Sequence, residues 1–143
     1  MKKIISISFV AFIALFLFVS CSKDDNSSNT STSGLLGKWE YSQVGTIVNG
    51  QEILGPYEHE SGCSKDYIEM LTSGVYKEYD YDSFVSPCNL STGTGTWLQN
   101  GNTITISVGG DTDSAEILTL NATTLKIKAV IDAEIVIAVY NRV

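Results

Sequence analysis

The chain has 143 residues, enough for one domain of modest core and little besides. Sixteen acidic against nine basic side chains give a formal charge of −7, which excludes the basic footprint that nucleic-acid phosphates require. The single histidine, His59, leaves no His-based metal cluster and no Ser-His-Asp triad to assemble.

Met1, Lys2 and Lys3 form a short basic start, and residues 4–19 are an apolar run that carries only Ser6 and Ser8 as polar members. The run is shorter than the ~20 residues a membrane-spanning helix needs. A basic start, a short apolar stretch and a small residue before a cut site read as a removable export signal over residues 1–20, with a transmembrane anchor as the alternative. Phe18-Val19-Ser20-Cys21 resembles the bacterial lipobox, although Phe stands where Leu is usual. The resemblance implies that the Cys21 thiolate accepts a diacylglyceryl group and becomes a fatty-acylated (palmitate-type) N-terminus. Acyl chains bind a bilayer at about 0.8 kcal/mol per buried methylene, so the implied product is an exported lipoprotein whose partner is the outer membrane. Loss of residues 1–20 removes two lysines and no acid, which takes the formal charge from −7 to −9. Such a surface gains nothing from an anionic membrane, so the lipid must do the anchoring.

Residues 21–34 continue as a polar, low-complexity stretch, SKDDNSSNTSTSG after the cysteine, with no apolar residue to bury. It reads as a disordered tether reaching about 20 Å root-mean-square. Lys23-Asp24-Asp25 resembles the acidic surface-export signal of lipoproteins in one large group of Gram-negative bacteria, which implies exposure on the cell surface. An acidic flexible linker is the alternative.

From residue 35 onward the pattern is short strands and tight turns. Strands are predicted at residues 38–48, 67–71, 75–82, 94–99, 103–108, 115–120, 124–131 and 134–140. Thr72-Ser73-Gly74 separates the second and third as a compact hairpin. Asn100-Gly101 predicts a type I′ turn, and Asn121-Ala122 and Asp132-Ala133 supply further turns. Alternation is clearest in Leu125, Ile127, Ala129 and Ile131 with Lys126 and Lys128 between them, and in Ile104, Ile106 and Val108. Period two marks strands with one wet face and one buried face. Residues 51–62 are the least regular and read as a long loop with at most one helical turn. Eight strands joined by short hairpins make a meander, and closure into an eight-stranded antiparallel up-and-down barrel removes its raw edges. Such a barrel is just wide enough to be filled by side chains or to hold one small ligand.

Gly37-Lys38-Trp39 resembles the first signature of lipocalins, a G-x-W whose Trp closes one end of the barrel. The resemblance also implies a late basic residue packed on that Trp, and Arg142 is placed for it. Residues 35–143 as a whole resemble the short lipocalin-like domains of bacterial surface lipoproteins. The pieces that match are LLGKW, Cys63 followed by YIEM, SGVYKEYDY, Cys88, GTW with Asn100-Gly101-Asn102, and the closing VYNRV. Longer lipocalins add a helix after the last strand, where this chain stops at Val143.

With Cys21 lipidated, Cys63 and Cys88 remain as an even pair in an oxidising compartment, which predicts a Cys63–Cys88 disulfide; two buried free thiols are the alternative. Ile68, Met70, Ile104, Ile106, Leu118, Leu125, Ile127 and Ile137 are the candidate inward positions, lining a ligand cavity or filling the barrel. Glu58-His59-Glu60 lacks a complete metal shell and reads as a solvated loop. Glu78, Asp80 and Asp82 share one strand face, and Asp111, Thr112, Asp113 and Ser114 form an acidic loop. Neither matches a calcium-loop pattern, and both read as solvated acidic surface. Trp97 is expected in the core. Tyr79 and Tyr81 alternate with the acids, so one of the two sets must be exposed, and that set is the candidate contact surface. Asp113-Ser114-Ala115 resembles a short O-glycosylation sequon of the same bacteria, with an ordinary loop as the alternative.

No base is paired with a nucleophile, so no catalytic, cofactor or metal site is expected, and the chain does not read as an enzyme. The resemblance implies a barrel that binds a small hydrophobic or amphipathic ligand at the cell envelope. The competing expectation is a solidly packed surface module that contacts proteins or glycans and has no small-molecule cargo.

Overall fold

The computed structural model describes residues 34–84 and 88–143. The expected export signal, Cys21 and the expected tether before Gly34 lie outside them. Nine strands follow in order: β1 Gly37–Val48, β2 Gln51–Pro56, β3 Tyr67–Leu71, β4 Val75–Asp82, β5 Asn89–Asn100, β6 Thr103–Val108, β7 Asp111–Leu120, β8 Thr124–Ile131 and β9 Glu134–Arg142. A 3₁₀ turn, Thr72–Gly74, joins β3 to β4. Every pairing is antiparallel between sequence neighbours, except that β1 pairs with both β3 and β9. Eight of the strands, all but β2, therefore close into an up-and-down barrel.

The ninth strand lies within the stretch that reads as a loop. Its hairpin turn is Asn49-Gly50, with φ of 52° and 79°. Two successive positive φ values are what the type I′ turn requires and what Asn-Gly tolerates best. The Asn-Gly pair at 100–101 behaves differently. Asn100 still pairs with Thr103, and of the residues between β5 and β6 only Gly101 has positive φ. The loop is thus Gly101-Asn102, one residue later than the sequence suggests.

Strand β1 changes partners halfway. Residues Gly37 to Glu40 pair with β3, and Gln43 to Val48 pair with β2. A register shift at Ser42 separates the two halves on the β9 side. The β1–β2 hairpin then folds back over the outside of the barrel. Thr46 Oγ1 donates to the Ile135 carbonyl at 2.5 Å, and Glu52 forms an ion pair with Lys126 on β8. Gly45 is required at the fold, since a Cβ there would sit 1.9 Å from the Ile53 carbonyl oxygen.

This hairpin corrects one inward assignment. On β9, Ala138 and Tyr140 pair with the inward Ile127 and Leu125. Ile137 therefore points outward, yet it is 0% exposed. It is buried on the outer face, where the hairpin covers it, and not in the barrel interior. Leu118 is a second correction. A β-bulge between Ile117 and Thr119 lets two residues of β7 oppose one of β8. Alternation counted back from the inward Leu120 therefore selects the wrong face. Ile117 is the buried residue at 3% exposure, and Leu118 is 37% exposed.

The core fills one end of the barrel. Leu35, Trp39, Ile68, Met70, Trp97, Ile104, Ile117 and Leu125 form its buried cluster, with Tyr76 and Tyr140 above them. Trp97 donates its indole N–H to the Leu71 carbonyl at 3.0 Å, which satisfies the polar edge of a mostly buried ring.

Candidate functional site

Begin at the filled end. Trp39 is fully buried, and its indole N–H donates to the Leu35 carbonyl at 2.8 Å. The Arg142 guanidinium lies over the Trp39 ring, 4.1 Å from its centroid. Its Nη1 donates to the Leu36 carbonyl at 2.7 Å and its Nη2 to the Gly34 carbonyl. A Cβ on Gly37 would stand 2.8 Å from that Nη1, and Gly37 holds a φ of +128°. The glycine, the tryptophan and the arginine thus interlock into a plug that closes this pole.

Two residues along β1 from Trp39, and on the same face, is Tyr41. It marks where the plug ends and a cavity of about 470 Å³ begins. The volume lies within the range of small-molecule sites, roughly 300–1,000 Å³. Ile104, Ile106 and Val108 from β6, with Ile127, Ala129 and Ile131 from β8, give it apolar walls. Tyr41, Tyr76 and Glu78 line another side, and Asp111, Asp113, Ser114 and Ala115 supply the β7 side toward the opening.

The eight candidate inward residues therefore separate into three groups. Ile104, Ile106 and Ile127 line the cavity. Ile68, Met70 and Leu125 are buried in the plug, and Ile104 touches both regions. Leu118 and Ile137 lie on the outer face.

The polar side of the cavity corrects one reading: Glu78, Asp111, Asp113 and Ser114, expected as solvated acidic surface, line the cavity. Tyr76 and Glu78 follow each other at spacing two on β4, so both face inward, and Asp80 and Asp82 continue on that face. The alternation visible in the sequence carried this signal once Tyr76 was known to be inside. Burial, and then the charge of Asp80, push the Glu78 carboxyl above the usual glutamate range. Burial likewise raises Asp80, with Asp66 and Asp82 adding to it. The Tyr41 and Tyr140 hydroxyls share a hydrogen bond, and burial holds both phenols well above the ordinary tyrosine value.

Packed against Tyr41 is a tied-down loop, residues 57–66. His59 donates from Nε2 to the Tyr41 carbonyl at 2.9 Å and accepts the Asp66 backbone N–H at Nδ1, 3.0 Å. Both ring nitrogens are thus in use, and Nδ1 also lies 3.5 Å from Asp66 Oδ2. Glu60 accepts a hydrogen bond from Ser83, so Glu58-His59-Glu60 is a structural segment of this loop. Asp66, 4% exposed, accepts the Tyr81 backbone N–H at 2.8 Å. The Cys63–Cys88 disulfide is formed and ties the loop to the start of β5. Tyr57 stacks on Tyr41 at 4.7 Å between ring centroids, and burial with the nearby Asp66 charge pushes its hydroxyl up to about 12.

Of the β4 acids Glu78 lines the cavity and Asp80 is exposed, and the alternating tyrosines lie on the opposite, outer face. Tyr79 stacks on Tyr67 at 4.2 Å and donates to Glu69, and Lys38 sits 3.6 Å above the Tyr67 ring. No group of three or more His, Cys, Asp or Glu side chains among the described residues is arranged to hold a metal ion.

The family model for a lipocalin-like domain matches residues 35–127. Among solved structures, the chain is similar to a lipocalin-like protein from Bacteroides uniformis, at 11% identity over 77% of this chain and 99% of that one, with a TM-score of 0.57. A protein from Bacteroides eggerthii is similar at 9% identity over 76% of this chain and 99% of that one, with a TM-score of 0.52. At these identities the likeness is one of fold. No curated protein matches.

Proposed function

Because this chain belongs to the lipocalin-like domain family, we propose that it is a binding protein whose barrel holds a small apolar or amphipathic molecule. The observation that carries this reading is the cavity of about 470 Å³, apolar in its depth and polar toward its opening. A barrel packed solid along its whole length would have no such space. We propose further that a lipid on Cys21 keeps the barrel at the outer membrane and that Lys23-Asp24-Asp25 directs it to the outer face. Support for the lipid is the lipobox-like Phe18-Val19-Ser20-Cys21 and the even cysteine pair left once Cys21 is used.

Native mass spectrometry of the protein purified from its own membrane extract tests both parts. A diacylglyceryl mass on a chain starting at Cys21, together with a co-purifying small molecule, is the expected result. A mature chain without the lipid overturns the anchor. A lipidated chain that never carries a small molecule overturns the binding reading. It would favour the outer-face tyrosines Tyr67 and Tyr79, already stacked and flanked by Lys38, as a contact surface for proteins or glycans.

A further inference from the structure

We propose that the occupant of the cavity is a cationic amphiphile. Its apolar chain would lodge among Ile104, Ile106 and Ile127, and its ammonium-type head would sit between Glu78 and Asp113. This rests on the binding reading above and adds the charge of the ligand.

The cavity itself is the site, and its lining decides the sign. Its walls carry three carboxylates, Glu78, Asp111 and Asp113, and no lysine, arginine or histidine. The strands sort charge by face. On β4, Lys77 alternates away from the inward Tyr76 and Glu78. On β8, Lys126 and Lys128 alternate away from Ile127 and Ala129 and pair outside the barrel with Glu52 and Glu116. Several acids elsewhere have partners: Glu40 has Lys65, Glu69 has Tyr79, and Asp66 has the Tyr81 amide. Glu78, Asp111 and Asp113 have no hydrogen bond or ion pair among the described residues.

Glu78 is also given room. Its cross-strand partner is Gly93, where a Cβ would lie 3.4 Å from Glu78 Oε2. A half-buried carboxylate beside apolar walls, with Asp80 repelling it, is poorly solvated. A cation of matching size relieves both terms. An anionic head, such as that of a fatty acid, would meet only like charge there. The Tyr76 ring, also in the lining, is an aromatic group of the kind that attracts cations.

The test uses the lipidated protein in phosphatidylcholine nanodiscs, with isoleucine δ1 methyl groups labelled for NMR. Octyltrimethylammonium, octanol and octanoate share one chain and differ in charge. Ile104, Ile106 and Ile127 report the cavity, and Ile137, buried on the outer face, reports the fold. The cation is expected to shift the three cavity methyls at a concentration at least tenfold lower than octanol, with octanoate weakest and Ile137 unmoved. Glu78→Gln should abolish most of that preference while octanol binding stays the same. If octanol or octanoate binds as tightly as the cation, or if a folded Glu78→Gln protein keeps the preference, the charge assignment is wrong and the cavity reading stands. If none of the three moves the cavity methyls, both are wrong. The wild-type comparison is decisive even if Glu78→Gln fails to fold.

Discussion

Replacing Arg142 with alanine removes one cation that makes three contacts in the closed pole. Two are hydrogen bonds to the Leu36 and Gly34 carbonyls, and the third is the contact with the Trp39 ring at 4.1 Å. A hydrogen bond to a charged group contributes roughly 1.5–3 kcal/mol net, and a partly desolvated cation–π contact about 1 kcal/mol. The three share one side chain and do not add fully, so the expected loss is about 3–4 kcal/mol. At a urea dependence of roughly 1.5 kcal/mol per molar, the unfolding midpoint should fall by about 2 M, read by tryptophan fluorescence. Arg142→Lys keeps the charge without the planar fork and should recover no more than half. Gly37→Ala pushes a methyl group toward the same guanidinium and also strains the backbone at φ +128°, so in an Arg142→Ala background it should cost less than in the wild type while keeping the backbone cost. An Arg142→Ala midpoint within about 0.5 M of wild type would refute the idea that this side chain seals the pole.

The disulfide closes a loop of 25 residues, for which chain entropy gives a stabilisation of about 3.5 kcal/mol; Cys63→Ser with Cys88→Ser should lower the thermal midpoint accordingly, and an unchanged midpoint would contradict it. Ala133 sits at φ 68° in the β8–β9 turn, a conformation that glycine adopts without strain. Ala133→Gly should therefore stabilise by about 0.5–1 kcal/mol in urea unfolding despite the more flexible unfolded chain. Glu78 supplies a pH signature. Burial, then Asp80, raise its carboxyl in the folded state, so the folded protein binds its proton more tightly than the unfolded chain does. Its contribution is fully present below the unfolded value and is lost as pH rises through the raised folded value. Glu78→Gln should flatten that fall and be the more stable protein at neutral pH, as measured by urea midpoints across the mildly acidic range.

The strands were legible where one face is wet. Lys126 and Lys128 interrupting Leu125, Ile127 and Ala129 define β8 without help, and β3, β4, β6 and β8 run over the residues their alternation indicates. Legibility failed where period two is broken or where both faces are apolar. Gln51–Pro56 holds Gly55 and Pro56, which read as loop, but it forms an outer hairpin strand that needs only one partner. The bulge at Ile117 to Thr119 inverts the faces along β7, and no local residue pattern announces it. Ile137 lies in a segment apolar on both sides, and the burying element is the hairpin of β1 and β2, distant in sequence. The acids of β4 were visible as a one-faced set, but which face they occupied depended on Tyr76, and tyrosine is at home on either.

Arg142 Nη2 bonds the Gly34 carbonyl, so the described chain starts and finishes at one spot on the barrel. That spot is the foot of the cup, and the lip stands at the far end, clear of both chain ends. A leash fixed before Gly34 would attach at the foot of the cup, at the opposite end from the lip. A molecule entering the cavity would then pass no chain end, and a label placed beside Gly34 or after Val143 would leave the lip unobstructed.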